Sequence, residues 1–215
     1  RIFRNEGMDP KHNPEFTTVE LYQAYADFND MMDLFEDLLS SAAQKILGTY
    51  QVEWQGEKID LTPGWPRMPM HEAVKQYCGI DFMAISSDEE AVAAAKSIGV
   101  ELPETADKTW GNALYECFDQ KVEEKLIQPT FITMHPVDVS PLAKRSPADP
   151  RLTERFELFI CRSEMGNAFS ELNDPIDQKQ RFQRQVELRE NGDEEAGMMD
   201  EDYITALEYG LPPTG

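Results

Sequence analysis

The length and composition of the chain predict one large folded unit with an acidic surface. It has 215 residues, 40% of them hydrophobic, which is enough for a buried core. Its 20 basic and 41 acidic residues give a formal net charge of -21, which argues against a surface that binds nucleic acid by neutralising many phosphates. The acidic excess is concentrated between Glu187 and Glu208, as is typical of a solvated helical face or loop.

The cysteines and the hydropathy pattern predict a cytoplasmic protein. Cys78, Cys117 and Cys161 are odd in number and far apart, so neither a disulfide framework nor a thiolate metal site is indicated. No apolar stretch approaches the roughly 18 residues that a membrane span needs, so no membrane partner is expected. The chain begins inside an expected strand and stops in an expected loop, which predicts an internal fragment of a longer protein.

The first third of the chain predicts a strand, a helix and a hairpin. Residues 16–25 alternate in polarity, which predicts a strand with one polar face. From Asp30, the expected N-cap, apolar residues recur with helical spacing as far as Leu47, and Gly48 provides a C-terminal stop. Residues 50–61 predict a hairpin, after which prolines interrupt regular structure.

The middle of the chain predicts a small helical insertion. Its three expected helices are Met70 to Tyr77, Asp88 to Ile98 and Trp110 to Leu126, separated by glycines and a proline.

The last part predicts strands followed by helices. The strands are expected at 128–139, 156–161 and 167–172, and the helices at 175–191 and 200–209.

Arg4 and Glu6 are the first candidate site residues. On a strand both side chains would face the same side, where a guanidinium can grip a phosphate and a carboxylate can accept a hydrogen bond from an amine. Taken alone, this pattern favours a surface ion pair across strands.

Glu157 and Glu164 form a second candidate group because they flank an expected turn. A hairpin would bring the two carboxylates together, and such a pair repels unless a hard cation joins it. Gly166 is expected to mark a bulge that brings Glu164 and Asn167 into phase. The alternative is a pair of solvated glutamates.

Two predicted strands share a set of side chains that suits a lysine ligand. Asn167, Phe169 and Glu171 alternate on one strand face, and Glu20 and Tyr22 do so on the other strand. An aromatic wall for the stem and carboxylates for the ammonium groups match that ligand. The set does not decide which acid takes the α-ammonium and which the ε-ammonium. A half-buried strand with satisfied polar residues is the alternative interpretation.

Three segments carry a resemblance to a known family. They are Phe3-Arg4-Asn5-Glu6-Gly7, His12-Asn13-Pro14-Glu15-Phe16-Thr17 and Glu164-Met165-Gly166-Asn167-Ala168-Phe169-Ser170-Glu171-Leu172-Asn173-Asp174. Together with flanking segments from residue 1 to 215, they resemble the catalytic domain of class II lysyl-tRNA synthetases of the bacterial type. Lys11 stands where the family pattern has arginine.

The resemblance implies a role for each candidate residue. Arg4 would clamp the α-phosphate of ATP as the catalytic arginine, and Glu6 would contact the adenine amine. Phe16 would stack on adenine, while His12 and Asn13 would contact ATP. Glu157 and Glu164 would hold Mg²⁺. The implied lysine-binding residues are Glu20, Tyr22, Asn167, Phe169 and Glu171.

The resemblance also implies a fold and a reaction. The fold is of the α+β class, an antiparallel sheet flanked by helices, with core parts at 1–70 and 127–215 and the helical insertion at 71–126. The reaction joins lysine to ATP as lysyl-adenylate and transfers lysine to tRNA(Lys) in a homodimer. Motif 1, motif 3 and the anticodon domain of the family are not in this sequence, so the fragment alone is expected to be inactive.

Other functions share part of this pattern. A lysine ligase acting on elongation factor P would use the same chemistry but lacks the long helical insertion. A catalytically silent interaction module is favoured by the missing motif 3 and the acidic surface. Aspartyl and asparaginyl relatives would need basic or amide groups where this chain has Glu20 and Glu171.

Overall fold

The structure, a computed structural model, contains eight strands and six α-helices within the residues that it describes, 1–4, 13–103, 106–190 and 196–215. The strands are β1 (Ile2–Phe3), β2 (Glu15–Phe16), β3 (Gln51–Trp54), β4 (Glu57–Asp60), β5 (Arg67–Pro69), β6 (Thr130–Thr133), β7 (Arg155–Ile160) and β8 (Ser163–Phe169). The helices are α1 (Phe28–Leu47), α2 (Met70–Cys78), α3 (Asp88–Ser97), α4 (Trp110–Lys121), α5 (Pro175–Glu190) and α6 (Glu201–Tyr209).

A four-stranded sheet of order β5-β6-β7-β8 forms the centre of the fold. Strands β6, β7 and β8 are antiparallel, whereas β5 pairs with β6 in parallel. The strand pairs β1-β2 and β3-β4 lie outside this sheet. The predicted α+β class with an antiparallel sheet is confirmed, and the parallel β5 is an addition to it.

Both faces of the central sheet are covered by helices. On one face, Ile132 and Phe159 join the core of α2, α3 and α4, where the Phe118 and Phe159 ring centroids lie 5.3 Å apart. On the other face, Phe156 and Leu158 pack in the core that includes the buried side of α1. Since neighbouring residues of a strand face opposite sides, β7 supplies side chains to both cores.

The long helix α1 is fixed at both ends by local contacts. The side chain of Asp27 accepts hydrogen bonds from the backbone N–H groups of Asn29 and Asp30 at 2.7 and 3.3 Å, and Asp30 bonds back to the backbone of Asp27. Gly48 ends the helix with φ 72°, as predicted. The predicted N-cap, Asp30, is wrong by one turn because Asp27 already satisfies the first N–H groups.

The predicted strand at 16–25 is wrong. Strand β2 ends at Phe16, and residues 17–22 make no backbone ladder with the described part of the chain. Further on, the N–H of Gln23 donates to Gly215 O at 2.9 Å and the N–H of Gly215 donates to Gln23 O at 3.1 Å. Alternation alone does not make a strand, because the ladder needs a partner.

Several other predicted boundaries shift. Strand β6 covers only Thr130–Thr133, and Val137–Val139 forms a 3₁₀ turn instead of a strand end. Strand β8 begins at Ser163 because Cys161 and Arg162, with φ of 52° and 65°, reverse the chain in two residues. The hairpin at 50–61 and the helix beginning at Pro175 are confirmed.

Helices α2, α3 and α4 lie between β5 and β6, within the region predicted as an insertion. Helix α4 ends at Lys121, earlier than predicted, and a 3₁₀ turn follows at Glu123–Lys125. The division into core parts at 1–70 and 127–215 stays a prediction. No helix in the described ranges is long and apolar enough to cross a membrane.

Replacing Gly111 by alanine should destabilise the protein by roughly 1–2 kcal/mol, even though alanine favours helix. Gly111 lies in the first turn of α4, where an added Cβ would overlap Asp138 Oδ2 and lie 2.9 Å from Pro136 Cβ. Urea unfolding checks this. Gly197→Ala is the control, since its Cβ would meet no atom closer than 3.8 Å. Equal stability of both variants would contradict the tight contact between α4 and the chain after β6.

Candidate active site

A bulge in the β7-β8 hairpin brings the predicted acids together. Glu157 pairs with Asn167 and Leu158 with Gly166, but Phe159 pairs with Glu164, which leaves Met165 as the extra residue. Directly paired residues share a face, so Glu157, Asn167 and Glu164 all project from the same side of the sheet. The Asn167 Nδ2 donates to Glu164 Oε1 at 3.2 Å. The predicted bulge beside Gly166 is confirmed.

Glu157 is a buried carboxylate with a basic partner. It is 5% exposed, and the Arg155 Nη2 donates to its Oε1 at 2.5 Å. Burial raises the pKa of Glu157 to about 7, against the lowering effect of Arg155, and the charge of Glu164 raises it further. The buried His135 lies with Nδ1 3.9 Å from the same oxygen, and burial lowers the pKa of His135 to about 3, so this ring is neutral.

The two acids fit a magnesium ion that arrives with its other ligands. Glu164 is exposed and Glu157 is buried, so the pair has one open side. In the described part of the chain no group of three or more His, Cys, Asp or Glu residues is placed to hold a metal by itself. Magnesium usually keeps several waters and takes one or two carboxylates together with substrate phosphates. The donor set therefore suits a metal bound with a nucleotide.

Arg4 and Phe16 meet at the β1-β2 pair. Ile2 pairs with Phe16, the N–H of Arg4 donates to Pro14 O at 3.0 Å, and the Arg4 Cζ lies 5.6 Å from the Phe16 ring centroid. A guanidinium beside an aromatic face can serve the phosphate and the base of one nucleotide. Asn13 is exposed beside this pair. The predicted ATP contacts Glu6 and His12 lie outside the described residues.

Glu171 is a half-buried carboxylate near the C-terminal end of β8. It follows β8, forms a bridge with Ala143, and its N–H donates to Thr214 O at 2.8 Å. Burial raises the pKa of Glu171. Among the described residues no basic side chain forms an ion pair with this carboxylate, so its charge is open to a cationic ligand.

The other predicted lysine contacts are distributed over two segments. Asn167 and Phe169 share a face of β8, and Phe169 pairs with Arg155. Glu20 and Tyr22 are exposed in the stretch without a ladder, and Glu20 Oε1 accepts from Thr18 Oγ1 at 3.4 Å.

Tyr203 is a candidate residue that sequence reasoning missed. Burial raises the pKa of this tyrosine, and the charges of Glu171 and Tyr22 raise it further, which places the three groups in one neighbourhood. Its ring packs against Phe182 with centroids 5.8 Å apart. In the sequence, Tyr203 is visible only as an aromatic residue in the expected helix 200–209.

Tyr115 and Arg155 were missed as well. Tyr115 lies on α4, and burial followed by the charge of Glu157 raises its pKa. Helix α4 thus places a phenol close to the buried acid, which helical periodicity alone does not indicate.

Comparisons with known proteins agree on one family. The family model described as tRNA synthetases class II (D, K and N) matches residues 1–215. A lysine-tRNA ligase from Pelotomaculum thermopropionicum is 59% identical over 215 residues, covering 100% of this chain and 42% of the relative. Lysine-tRNA ligases from Staphylococcus haemolyticus and Bacillus cytotoxicus are each 56% identical, with 43% of their length covered. The chain therefore spans less than half the length of these curated relatives.

The buried Glu157 predicts a pH-dependent stability. Its pKa in the folded protein, about 7, is above the ordinary value of 4.5, so the folded state holds a proton that the unfolded chain releases. The free energy of unfolding should therefore fall as the pH rises from the ordinary pKa of 4.5 through the folded-state pKa of about 7. Glu157→Gln removes this titrating group. The free energy of unfolding of the variant, relative to that of the parent protein, should therefore increase from about pH 5 to about pH 8.

Urea unfolding in the presence of a chelator measures the difference. Asn167→Ala is the control. Asn167 pairs with Glu157 across the strands, and neither asparagine nor alanine titrates, so this variant should change the free energy of unfolding equally at both pH values. A constant difference between Glu157→Gln and the parent protein would contradict the assignment.

Proposed function

Because the chain belongs to the class II (D, K and N) tRNA synthetase family, we propose that it is the lysine-activating part of a lysine-tRNA ligase. The observation that carries this proposal is Glu171, a half-buried carboxylate with no basic partner among the described side chains and with Tyr22 and Tyr203 nearby. A carboxylate in that setting is stabilised when an ammonium group binds to it. The names of the relatives, lysine-tRNA ligases, support lysine as the source of that ammonium.

Lysine fits the arrangement along its whole length. Phe169 offers an aromatic wall for the methylene stem, and Glu171 with Tyr22 meets the ε-ammonium. Glu20 and Asn167 are available for the amino-acid end. An aspartate side chain would bring a second carboxylate to Glu171, which costs free energy through like-charge repulsion.

ATP would bind beside this pocket, with Phe16 against adenine and Arg4 on the α-phosphate. Glu6, His12 and Asn13 belong to the same proposed ATP site. The carboxylate oxygen of lysine attacks the α-phosphorus, the bond to the bridging oxygen breaks, and pyrophosphate leaves with its electron pair. Arg4 stabilises the charge that grows on the α-phosphate, so positioning and electrostatics suffice without a protein nucleophile.

Glu157 and Glu164 would hold the magnesium ion. When bound, the ion neutralises charge on the phosphates of ATP and on the pyrophosphate that departs. The burial of Glu157 and the exposure of Glu164 suit a ligand that enters from solvent together with nucleotide.

The later steps involve the intact protein. Lysine would pass from the adenylate to tRNA(Lys) in a cytoplasmic homodimer. The net charge of -21 makes this chain a poor phosphate-binding surface, so other parts of the protein would provide the main contacts to tRNA.

A lysine ligase that acts on elongation factor P is the second candidate. It would use the same adenylate chemistry, but helices α2 to α4 between β5 and β6 are the feature that such enzymes lack. Transfer of labelled lysine to tRNA or to elongation factor P by the full-length protein separates the two functions.

Glu171→Gln should weaken the binding of lysine far more than the binding of ATP. A buried ammonium would lose its charged partner, and such a loss costs about 1.5–3 kcal/mol, or roughly 10- to 150-fold in the KM for lysine. Lysine-dependent exchange of pyrophosphate into ATP, in a protein extended to the length of the relatives, gives both KM values. Equal increases for lysine and ATP would contradict the pocket.

Arg4→Ala should slow adenylate formation by roughly two or more orders of magnitude, because it removes a cation from the phosphate that gains charge in the transition state. Pyrophosphate exchange measures the rate. Arg1→Ala is the matched control, since Arg1 pairs with Glu15 on the same short strand pair. Near-normal exchange by the Arg4 variant would exclude the phosphate role.

A further inference from the structure

The guanidinium of Arg155 joins Glu157 to the chain segment that follows β6. Its Nη2 donates to Glu157 Oε1 at 2.5 Å, while its Nη1 donates to Val139 O at 2.6 Å and to Ser140 Oγ at 3.2 Å. The Arg155 side chain is 18% exposed, so solvent screens these bonds only weakly. Arg155 and Glu157 are on the same face of β7, two residues apart.

We propose that Arg155 is the positioning residue for the metal-binding carboxylate of Glu157. Its hydrogen bond to Oε1 would hold the carboxylate in one orientation and leave Oε2 available to a metal shared with Glu164. The proposal rests on the proposed function in one respect only, the assignment of Glu157 and Glu164 as magnesium ligands.

The position of Glu157 has a physical cost that Arg155 offsets. Glu157 and Glu164 lie on the same face of the bulged hairpin, and two carboxylates that converge without a cation repel each other. A glutamate side chain also has several rotamers, and holding one of them before the ligand arrives reduces the ordering cost of binding. A guanidinium anchored on a backbone carbonyl supplies both the opposite charge and the fixed direction.

His135, the other basic side chain described beside Glu157, cannot replace Arg155, because its Nδ1 lies 3.9 Å from Glu157 Oε1, beyond hydrogen-bond distance. A lysine at 155 would keep the charge, but its single ammonium lacks the planar fork that reaches Val139 and Glu157 together.

The segment after β6 does not depend on Arg155 for its place. The Arg181 Nη1 donates to Ser140 O at 2.9 Å and to Ala143 O at 2.7 Å, and the N–H of Lys144 donates to Ser170 O at 2.8 Å. Ala143 also bridges to Glu171. The backbone beside Glu171 is therefore held by Arg181 and backbone bonds, whereas Arg155 touches the lysine side only through its pairing with Phe169. Loss of Arg155 should therefore weaken metal binding more than lysine binding.

The test compares Arg155→Gln and Arg155→Lys with the parent protein at the full length of the relatives. Binding of Mn²⁺ as the probe ion, in the presence of a non-hydrolysable ATP analogue, is followed by the electron paramagnetic resonance signal of the free ion. Loss of a group that orients a metal ligand typically lowers the metal affinity roughly 10- to 100-fold. We expect a decrease in that range for Arg155→Gln and a smaller decrease for Arg155→Lys. The KM for lysine should change by a smaller factor than the affinity for Mn²⁺.

Arg162→Ala is the matched control. Its guanidinium pairs with Glu57 at 2.7 Å at the turn of the same hairpin, on a carboxylate outside the proposed site. This variant should bind Mn²⁺ as the parent protein does.

The outcomes separate the inference from the proposed function. A parent protein without lysine-dependent pyrophosphate exchange contradicts the function itself. An active parent protein whose Mn²⁺ binding is weakened by Glu157→Gln but not by either Arg155 variant overturns the positioning role alone. Unfolding of both Arg155 variants, seen by circular dichroism, also overturns it, because Arg155 would then be a general structural residue.

Discussion

The register of the β7-β8 hairpin is the constraint on which the site depends. Met165 adds one residue to β8, and this single bulge brings Glu164 and Asn167 to the same face as Glu157. Without the extra residue Glu164 would point to the opposite face, toward the core that contains Phe156 and Leu158. A charged carboxylate there would be costly, and Glu164 could not join Glu157 in the proposed metal site.

The helices that cover the Glu157 face of the central sheet influence the pKa of Glu157. Helix α4 packs Phe118 against Phe159, two positions beyond Glu157 on β7, and excludes water from one side of the acid. Burial raises the pKa of Glu157, while the guanidinium of Arg155 favours the charged form. The helices between β5 and β6 are therefore part of the environment of the proposed metal site as well as a separate packing unit.

Local signals were sufficient for much of the fold, and long-range pairing limited the rest. Gly48 ends α1 as expected because a left-handed C-cap is a local requirement. The strand expected at 16–25 failed because residues 17–22 have no ladder partner in the described part of the chain, and after them only residues 23 and 25 of that range form backbone hydrogen bonds, with residues 213–215 at the far end of the chain. The site residues stay predictions from family motifs. Tyr203 was missed because its neighbours Phe182, Glu171 and Tyr22 are distant in sequence. Arg155 was missed because its spacing of two residues from Glu157 does not indicate its hydrogen bonds to Val139 and Ser140.

The amino-acid specificity of pyrophosphate exchange tests the central claim most directly. The full-length protein is given ATP, magnesium and labelled pyrophosphate with lysine, aspartate or asparagine in separate reactions. A pocket built around the carboxylate of Glu171, which has no basic partner among the described residues, should support exchange with lysine and reject the other two by roughly four orders of magnitude in kcat/KM. Exchange with aspartate or asparagine that equals or exceeds exchange with lysine would contradict the lysine-activating site.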